Sequence, residues 1–339
     1  MKSIVYRSNG GTDVLRPADR PVPEPGPGEV RVRVRVSGVN PTDWKTRQGA
    51  TGSLAEGEEA VPNQDGAGEV DAVGEGVDQG LVGRRVWLWE VARTPAGGTA
   101  QQYVVVPERQ AVPLPDGASF DLGAAVGIPG VTAHRALTLA AGSPRRLAPG
   151  ALAGRAVLVA GGAGAVGNAA IQLARWAGAT VVTTVSSPEK GELARAAGAH
   201  HVVDYRAQDA AAAIRELFPD GVDLVVEVAP AANAALDIAV LRNGGTVAYY
   251  ANNGGEEIRL PVREVFSRNL SWHGLLVYTL PLEAKLDAVA AVSDALAAGA
   301  LRVGEEAGLP LHRFPLERTG EAHAAVESGA VGKVLIDIP

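Results

Sequence analysis

Gly162, Gly164 and Gly167 stand in the spacing GxGxxG inside the run Val157 to Lys190, and that spacing suits the backbone to cradle a pyrophosphate. The first glycine permits a tight turn, the second lets backbone approach a phosphate, and the third lets the next helix pack against the preceding strand. A helix opening at Ala165 and Val166 would hold the anion through its unpaired N–H groups and its dipole. The chemistry implied is dinucleotide binding. Beyond the glycines come Ser186 and Ser187, near the place, about 20 residues on, where an NAD enzyme carries an acid for the ribose 2′-OH. No acid stands there to repel a phosphate, and Lys190 follows one helical turn later. Glu189, behind Pro188, reads as a first-turn helix acid favoured by the dipole. Tyr205 and Arg206 add a ring and a charge. This set predicts NADPH; the competing reading makes Lys190 and Arg206 solvated surface cations.

The elements needed to position these residues are present. Ala156–Ala160 reads as a buried parallel strand, Val166–Trp176 as a helix, Thr180–Val185 as a second strand and His201–Asp204 as a third. The uncharged stretch from Ala156 to Ala174 has about the length of a bilayer span, but glycines, Asn168 and Gln172 interrupt it and Arg175 follows at once. A buried βαβ unit is the expectation, not a membrane helix.

The chain has 339 residues, 46% hydrophobic and 20% charged, which fits a soluble globular protein of one large or two ordinary domains. A net charge of −7 gives no general attraction to nucleic acid or anionic membrane. The absence of cysteine excludes disulfides, thiolate zinc sites and a cysteine nucleophile. The opening MKSIVYRSNG lacks an apolar leader and reads as a first strand, so a cytoplasmic enzyme is expected.

Up to about Leu122, β-rich runs alternate with turns: Ser3–Tyr6, Glu29–Ser37, Gly68–Val73, Arg84–Trp89 and Gln101–Val106. Val30, Val32, Val34 and Val36 alternate with Arg31, Arg33 and Arg35, the pattern of a half-buried antiparallel strand whose arginines form a solvated face. From about Gly123 to Ala300 the pattern is α/β, with strands at Asp223–Ala229 and Gly244–Ala251 and an amphipathic helix at Glu283–Ala298. The tail VGKVLIDIP forms a last strand that can return to the first domain. Pro/Gly clusters at 21–28 and 142–150 read as turns or a short linker.

From Val30 to the C-terminus the chain resembles the medium-chain dehydrogenase/reductase superfamily, and within it the zinc-free, zeta-crystallin-like quinone oxidoreductase branch. The motifs occur in family order: SGVNPTDWKTRQG (37–49), PNQDGAGEVDAVGEGV (62–77), LPDGASFDLGAAVGIPGVTAHRAL (114–137) and the glycine motif. The resemblance implies a GroES-like catalytic domain from 1–122 and 301–339, a Rossmann doubly wound parallel-sheet domain at 123–300, and a homodimer. It also implies residue roles. Asn40 faces the nicotinamide side, where its amide donates to a substrate oxygen, and Asp43 orients the loop or transfers a proton. Trp44 touches the substrate pocket, with Trp87 and Trp89 more naturally core. Thr132 lies on the cofactor side, Gly244 and Gly245 pass the nicotinamide ribose, backbone at Leu275 and Leu276 meets the carboxamide, and Lys333 approaches the cofactor.

Departures from the superfamily's zinc alcohol dehydrogenases are equally informative. Asn40 occupies the place of a cysteine ligand, Gln64 and Asp65 that of a His-Glu pair, and only Glu90–Tyr103 replaces the cysteine-rich structural-zinc loop. No metal is expected, and the six histidines, His200 and His201 included, read as surface or packing residues. Asn63 stands where the family commonly has glycine. The expected activity is zinc-independent, NADPH-dependent reduction of a small-molecule quinone. The alternatives are enoyl or 2-alkenal reduction of a conjugated C=C bond and a non-catalytic NADPH-binding role.

Overall fold

A computed structural model gives the fold and describes residues 1–50, 52–93 and 97–339; residues 94–96 of the short Glu90–Tyr103 segment thus lie outside the described residues. In chain order come β1 (Lys2–Val5), β2 (Arg16–Asp19), β3 (Glu29–Val39), α1 (Pro41–Arg47), β4 (Asp65–Val73), β5 (Arg85–Leu88), β6 (Tyr103–Pro107), β7 (Ala111–Pro113) and α2 (Phe120–Leu137). Then follow β8 (Ala156–Ala160), α3 (Ala165–Trp176), β9 (Thr180–Val185), α4 (Pro188–Ala196), β10 (His201–Asp204), α5 (Ala210–Leu217), β11 (Val222–Glu227), α6 (Pro230–Val240) and β12 (Leu241–Tyr249). The chain ends with α7 (Val262–Ser267), β13 (Ser271–Gly274), α8 (Leu282–Ala297), β14 (Leu311–Pro315), α9 (Thr319–Glu327) and β15 (Lys333–Asp337). Two compact units result, Met1–Ile128 with Pro310–Pro339 and Pro129–Leu309, so the division falls inside α2 at Pro129 and again after Leu309. The first division lies six residues and the second nine residues beyond the 122/123 and 300/301 expected from the sequence pattern. The 142–150 cluster lies within the second unit.

The first unit is built on a largely antiparallel sheet in the order β14-β15-β3-β4-β5-β7, with β6 also paired to β3. The tail strand β15 does return here, pairing antiparallel with β3 from Val334 opposite Val39 to Asp337 opposite Val36. Val30, Val32 and Val34 enter one core cluster, as their alternation predicts, but Val36 packs on the other face with Ala67, Ala124 and Leu335. The ladder to β4 shifts between Val34 and Val36, and such a bulge reverses the side-chain faces beyond it. The arginine face is less solvated than its alternation suggests, because Arg31 pairs with Asp71 and Arg35 with Glu69 across the β3–β4 ladder.

The second unit is a wholly parallel sheet in the order β10-β9-β8-β11-β12-β13, the doubly wound arrangement. Its strands are continuous apolar runs because helices cover both faces; Leu158, Val182, Val225 and Val247 form the core between them. Strand order reverses between β8 and β11, and ligands of such sheets bind at the carboxyl ends of the strands beside that reversal. No helix among the described residues is long and apolar enough to cross a membrane; the uncharged run 156–174 is β8, a turn and most of α3.

Candidate active site

The carboxyl edge of the parallel sheet collects the glycine motif after β8, Ser186 to Lys190 after β9 and Tyr205 after β10. The glycines are required by close packing. A Cβ on Gly162 would lie 2.2 Å from Thr183 Oγ1, and one on Gly167 would lie 2.4 Å from the Gly161 carbonyl oxygen. Gly164 differs, since a Cβ there would meet only the Gly161 carbonyl, at 3.5 Å. It is the N-cap of α3 and no side chain caps that end, so the first N–H groups of the helix, at Ala165, Val166 and Gly167, have no intrahelical acceptors. Helix N-termini of this kind can hold a phosphate. After β9, the Lys190 ammonium donates to Ser186 Oγ at 3.0 Å, while Ser187 caps α4 by accepting from Lys190 N. Glu189 sits in the first turn of α4 and is exposed. Tyr205 is 51% exposed. Leu275 and Leu276 follow β13 at the same edge, with Leu275 N donating to the Tyr249 carbonyl. Thr132 is buried in α2.

Gly245 does not belong to this group. Thr246 is level with Leu224, which is level with Val157 at the start of β8. Gly245 therefore lies at the amino edge of the sheet, roughly 13 Å or more along the strands from the glycine turn at 3.3 Å per residue, too far from that turn for the ribose contact expected of it. Its smallness serves packing, since a Cβ there would lie 2.7 Å from Leu241 Cδ2.

Sequence reasoning missed the acid that ends β11. Glu227 and Asp237 of α6 are both fully buried. Glu227 Oε1 accepts from Ala229 N and from Asn233 Nδ2 at 3.0 Å, while Glu227 Oε2 and both Asp237 oxygens lack any other donor. Two carboxyls in this position make contact only by sharing a proton, and burial raises both, with Glu227 raising Asp237 further. The signal available was an acid closing the apolar run Leu224–Val226.

In the first unit, a buried polar cluster gathers where β3 ends. Asn40 caps α1; its backbone N–H donates to Asp43 Oδ2 at 2.7 Å, and Asp43 Oδ1 accepts from Gln64 N at 3.1 Å. Asp43 thus ties the start of α1 to the segment before β4, and both its oxygens are engaged with backbone. Burial pushes its carboxyl up to about 8, against the pull of those two donors. The Asn40 amide is also engaged: Nδ2 donates to Asp65 Oδ2 at 2.7 Å and Oδ1 accepts from Lys333 Nζ at 2.7 Å. Lys333 also lies 3.4 Å from Asp65 Oδ2, and Ile128 N donates to Asp65 Oδ1 at 2.8 Å. Burial raises the Asp65 carboxyl and lowers the Lys333 ammonium, and their mutual attraction opposes both shifts. Lys333, expected to reach the cofactor, is 1% exposed with its ammonium committed to Asn40 and Asp65.

Neighbouring residues brace this cluster. Asn63 takes φ +80°, a left-handed backbone suited to glycine, and its side chain is held by His323 Nε2 at 2.9 Å and Ser37 Oγ at 2.9 Å. Burial lowers His323 to about 3, leaving a neutral ring that donates to the Asn63 amide oxygen. Trp87 and Trp89 are core. Trp44 is only partly buried, and its indole N–H has no acceptor among the described residues. His200 accepts from Val181 N and His201 stacks edge-on against Phe218, both packing roles.

Two family models match the chain. An alcohol dehydrogenase GroES-like domain covers residues 26–116 and a zinc-binding dehydrogenase covers residues 165–294. With the parallel sheet and its glycine turn, these define a medium-chain dehydrogenase/reductase. Quinone oxidoreductase of Homo sapiens is 30% identical over 99% of this chain and 97% of its own length. The chain belongs to the quinone oxidoreductase branch of that superfamily, and it is a nicotinamide-dependent oxidoreductase. Among solved structures, an NAD-dependent alcohol dehydrogenase is 30% identical with TM-score 0.85, covering 100% of both chains. A mycobacterial protein complexed with NADPH is 28% identical with TM-score 0.80, covering 99% of both. A 2-haloacrylate reductase is 27% identical with TM-score 0.78, again covering 99% of both.

The donor set at Asn40, Gln64 and Asp65, the positions that the family resemblance matches to zinc ligands, does not fit zinc. Zinc sites are built from thiolate, imidazole and carboxylate, usually four ligands in all. Here Asn40 offers an amide oxygen already bound by an ammonium, and the Gln64 amide exchanges hydrogen bonds with Ala92 N and O. The single carboxylate, Asp65, is held by Ile128 N, Asn40 and Lys333. A divalent ion would displace these partners and face a buried cation at close range.

Proposed function

We propose that this enzyme uses NADPH to reduce a quinone, with no metal ion at its site. The observation that carries the reading is the Asn40–Asp65–Lys333 cluster, in which Asn40 and Asp65, at places the family resemblance matches to metal ligands, are tied up by each other and by a buried ammonium. Without a Lewis acid, the alkoxide formed from an ordinary ketone has little support. A quinone needs less, because the anion of its hydroquinone is delocalised and water can protonate it.

In this reading the N–H groups at Ala165, Val166 and Gly167 hold the pyrophosphate, and Ser186, Ser187 and Lys190 hold the 2′-phosphate. Tyr205 adds a ring beside them. Thr132, Leu275 and Leu276 complete the cofactor side. When bound, the reduced nicotinamide supplies the hydride. Asn40 keeps one Nδ2–H beyond the one given to Asp65, and that donor serves the substrate oxygen. Asp43 holds the loop, and the indole of Trp44 offers a flat face to a planar ring. Holding the two reactants together replaces a bimolecular encounter.

Likeness to a 2-haloacrylate reductase favours a second reading, reduction of a polarised C=C bond through an enolate. Steady-state NADPH oxidation with a panel of quinones and a panel of enones separates the two: the first reading expects higher kcat/KM on quinones, the second on enones. The enzyme is also proposed to be a homodimer joined through the second unit. Strand β13 pairs only with β12 among the described residues, and Val262 (75% exposed), Phe266 (60%) and Leu282 (48%) flank it. An open strand edge with apolar flanks calls for cover. Light scattering reads the outcome: a dimer for the wild type and a monomer for Phe266→Glu.

A further inference from the structure

The residue that the proposed chemistry leaves unexplained is Lys333. It opens β15, and the register that sets Val334 opposite Val39 brings it alongside Asn40. The site is built around it. A Cβ on Gly38 would lie 3.1 Å from Lys333 Cε and 2.0 Å from the Ala124 carbonyl oxygen, so only glycine lets the lysine stem and α2 pass there together. The ammonium is 1% exposed and Asp65 is fully buried. An ion pair taken out of water in this way is generally no more stabilising than apolar side chains of the same volume. Stability alone therefore does not account for it.

We propose that Lys333 is a positioning residue, whose ammonium clamps the Asn40 amide in one orientation and so presents its remaining N–H to the substrate. An amide is nearly symmetric in shape and can turn over by 180°. With Lys333 on Oδ1 and Asp65 on Nδ2, turning over would set N–H against the ammonium and the amide oxygen against the carboxylate. Both contacts would then repel. A cation on the amide oxygen also draws charge from the nitrogen, which strengthens its N–H as a donor. Lys333 touches neither substrate nor cofactor in this scheme; it acts through Asn40. The inference rests on the proposed role of Asn40 in reduction.

The test is a charge-removal cycle on the full-length enzyme with Lys333→Met, Asp65→Asn and the double variant, reading Tm, NADPH affinity, kcat and KM. Lys333→Met alone should lower Tm, because it strands a buried carboxylate. The double variant removes both members of the pair, leaving Asp43, whose raised carboxyl can keep its proton, as the acid of the cluster, and should recover most of the lost Tm. Its kcat should nevertheless stay about tenfold or more below wild type, as expected for a misplaced donor, with KM and NADPH affinity within about twofold. A double variant with wild-type kcat would overturn the proposal, since the ammonium would then merely neutralise Asp65, and so would a loss carried wholly by KM. A measurement on the wild type keeps the idea testable if the variants do not fold. With selective asparagine labelling, nitrogen relaxation of the Asn40 side-chain amide should give an order parameter in the rigid range, about 0.85, and a value below about 0.6 would refute the clamp. If the wild type reduces neither quinones nor enones, the functional reading has failed, while the amide order parameter still tests the clamp on its own.

Discussion

Replacing Lys190 by alanine should separate the two nicotinamide cofactors. The lysine is the third residue of α4 and its ammonium rests on Ser186 Oγ. Alanine is the best helix former, and a cation in the first turn opposes the helix dipole, so Tm should hold or rise slightly. A hydrogen bond between charged partners contributes about 1.5–3 kcal/mol. Lys190 is only partly buried, so the lower end applies. At about 1.4 kcal/mol per decade, a loss of about 1.5 kcal/mol weakens NADPH roughly tenfold. NADH, which lacks the 2′-phosphate, should bind as before. Fluorescence titration of both cofactors against wild type and variant reads this directly. Equal weakening of NADPH and NADH would refute the reasoning, because Lys190 would then support the loop and not the phosphate.

Gly167→Ala drives a Cβ to 2.4 Å from the Gly161 carbonyl and should cost about 1–3 kcal/mol of stability, whereas Gly164→Ala should leave Tm unchanged and weaken both cofactors by filling the glycine turn; thermal melts with titrations check the pair. The shared proton of Glu227 and Asp237 makes stability pH-dependent. Because both carboxyls are raised in the folded chain, it binds protons that the unfolded chain releases above about pH 4, so stability is full below that point and falls as pH rises through the raised values. Asp237→Asn supplies a fixed N–H to Glu227, and its Tm relative to wild type should climb with pH; a difference that does not change with pH would count against the shared proton. Treatment with a strong chelator should leave activity and Tm unchanged, and stoichiometric zinc lost together with activity would contradict the donor-set argument.

The glycine turn and the strands on either side of it were legible because they are local: GxGxxG, a buried apolar run and a helix of period 3.6 need no knowledge of distant chain. Ala156–Ala160, Thr180–Val185 and His201–Asp204 have the same bounds in the structure. What depended on long-range pairing was not legible. Lys333 meets Asn40 across 293 residues, and only the antiparallel β15–β3 register shows that a terminal lysine ends beneath the loop. Gly245 looked like a place of close approach, yet the side of the sheet to which a glycine belongs is fixed by parallel register and not by its neighbours. The exchange of faces at Val36 came from a bulge that no alternation pattern contains. Asp237 became a partner of Glu227 only once α6 folded back on β11.

The measurement that tests the central claim most directly is single-turnover oxidation of NADPH by the purified enzyme, with a small quinone, an enone and an ordinary ketone in parallel, in the presence of a chelator. The account predicts rapid oxidation with the quinone, slower oxidation with the enone, essentially none with the ketone, and no effect of the chelator. Fast reduction of the ketone that the chelator abolishes would contradict it, because the chemistry would then depend on a metal that Asn40, Gln64 and Asp65 are not arranged to hold.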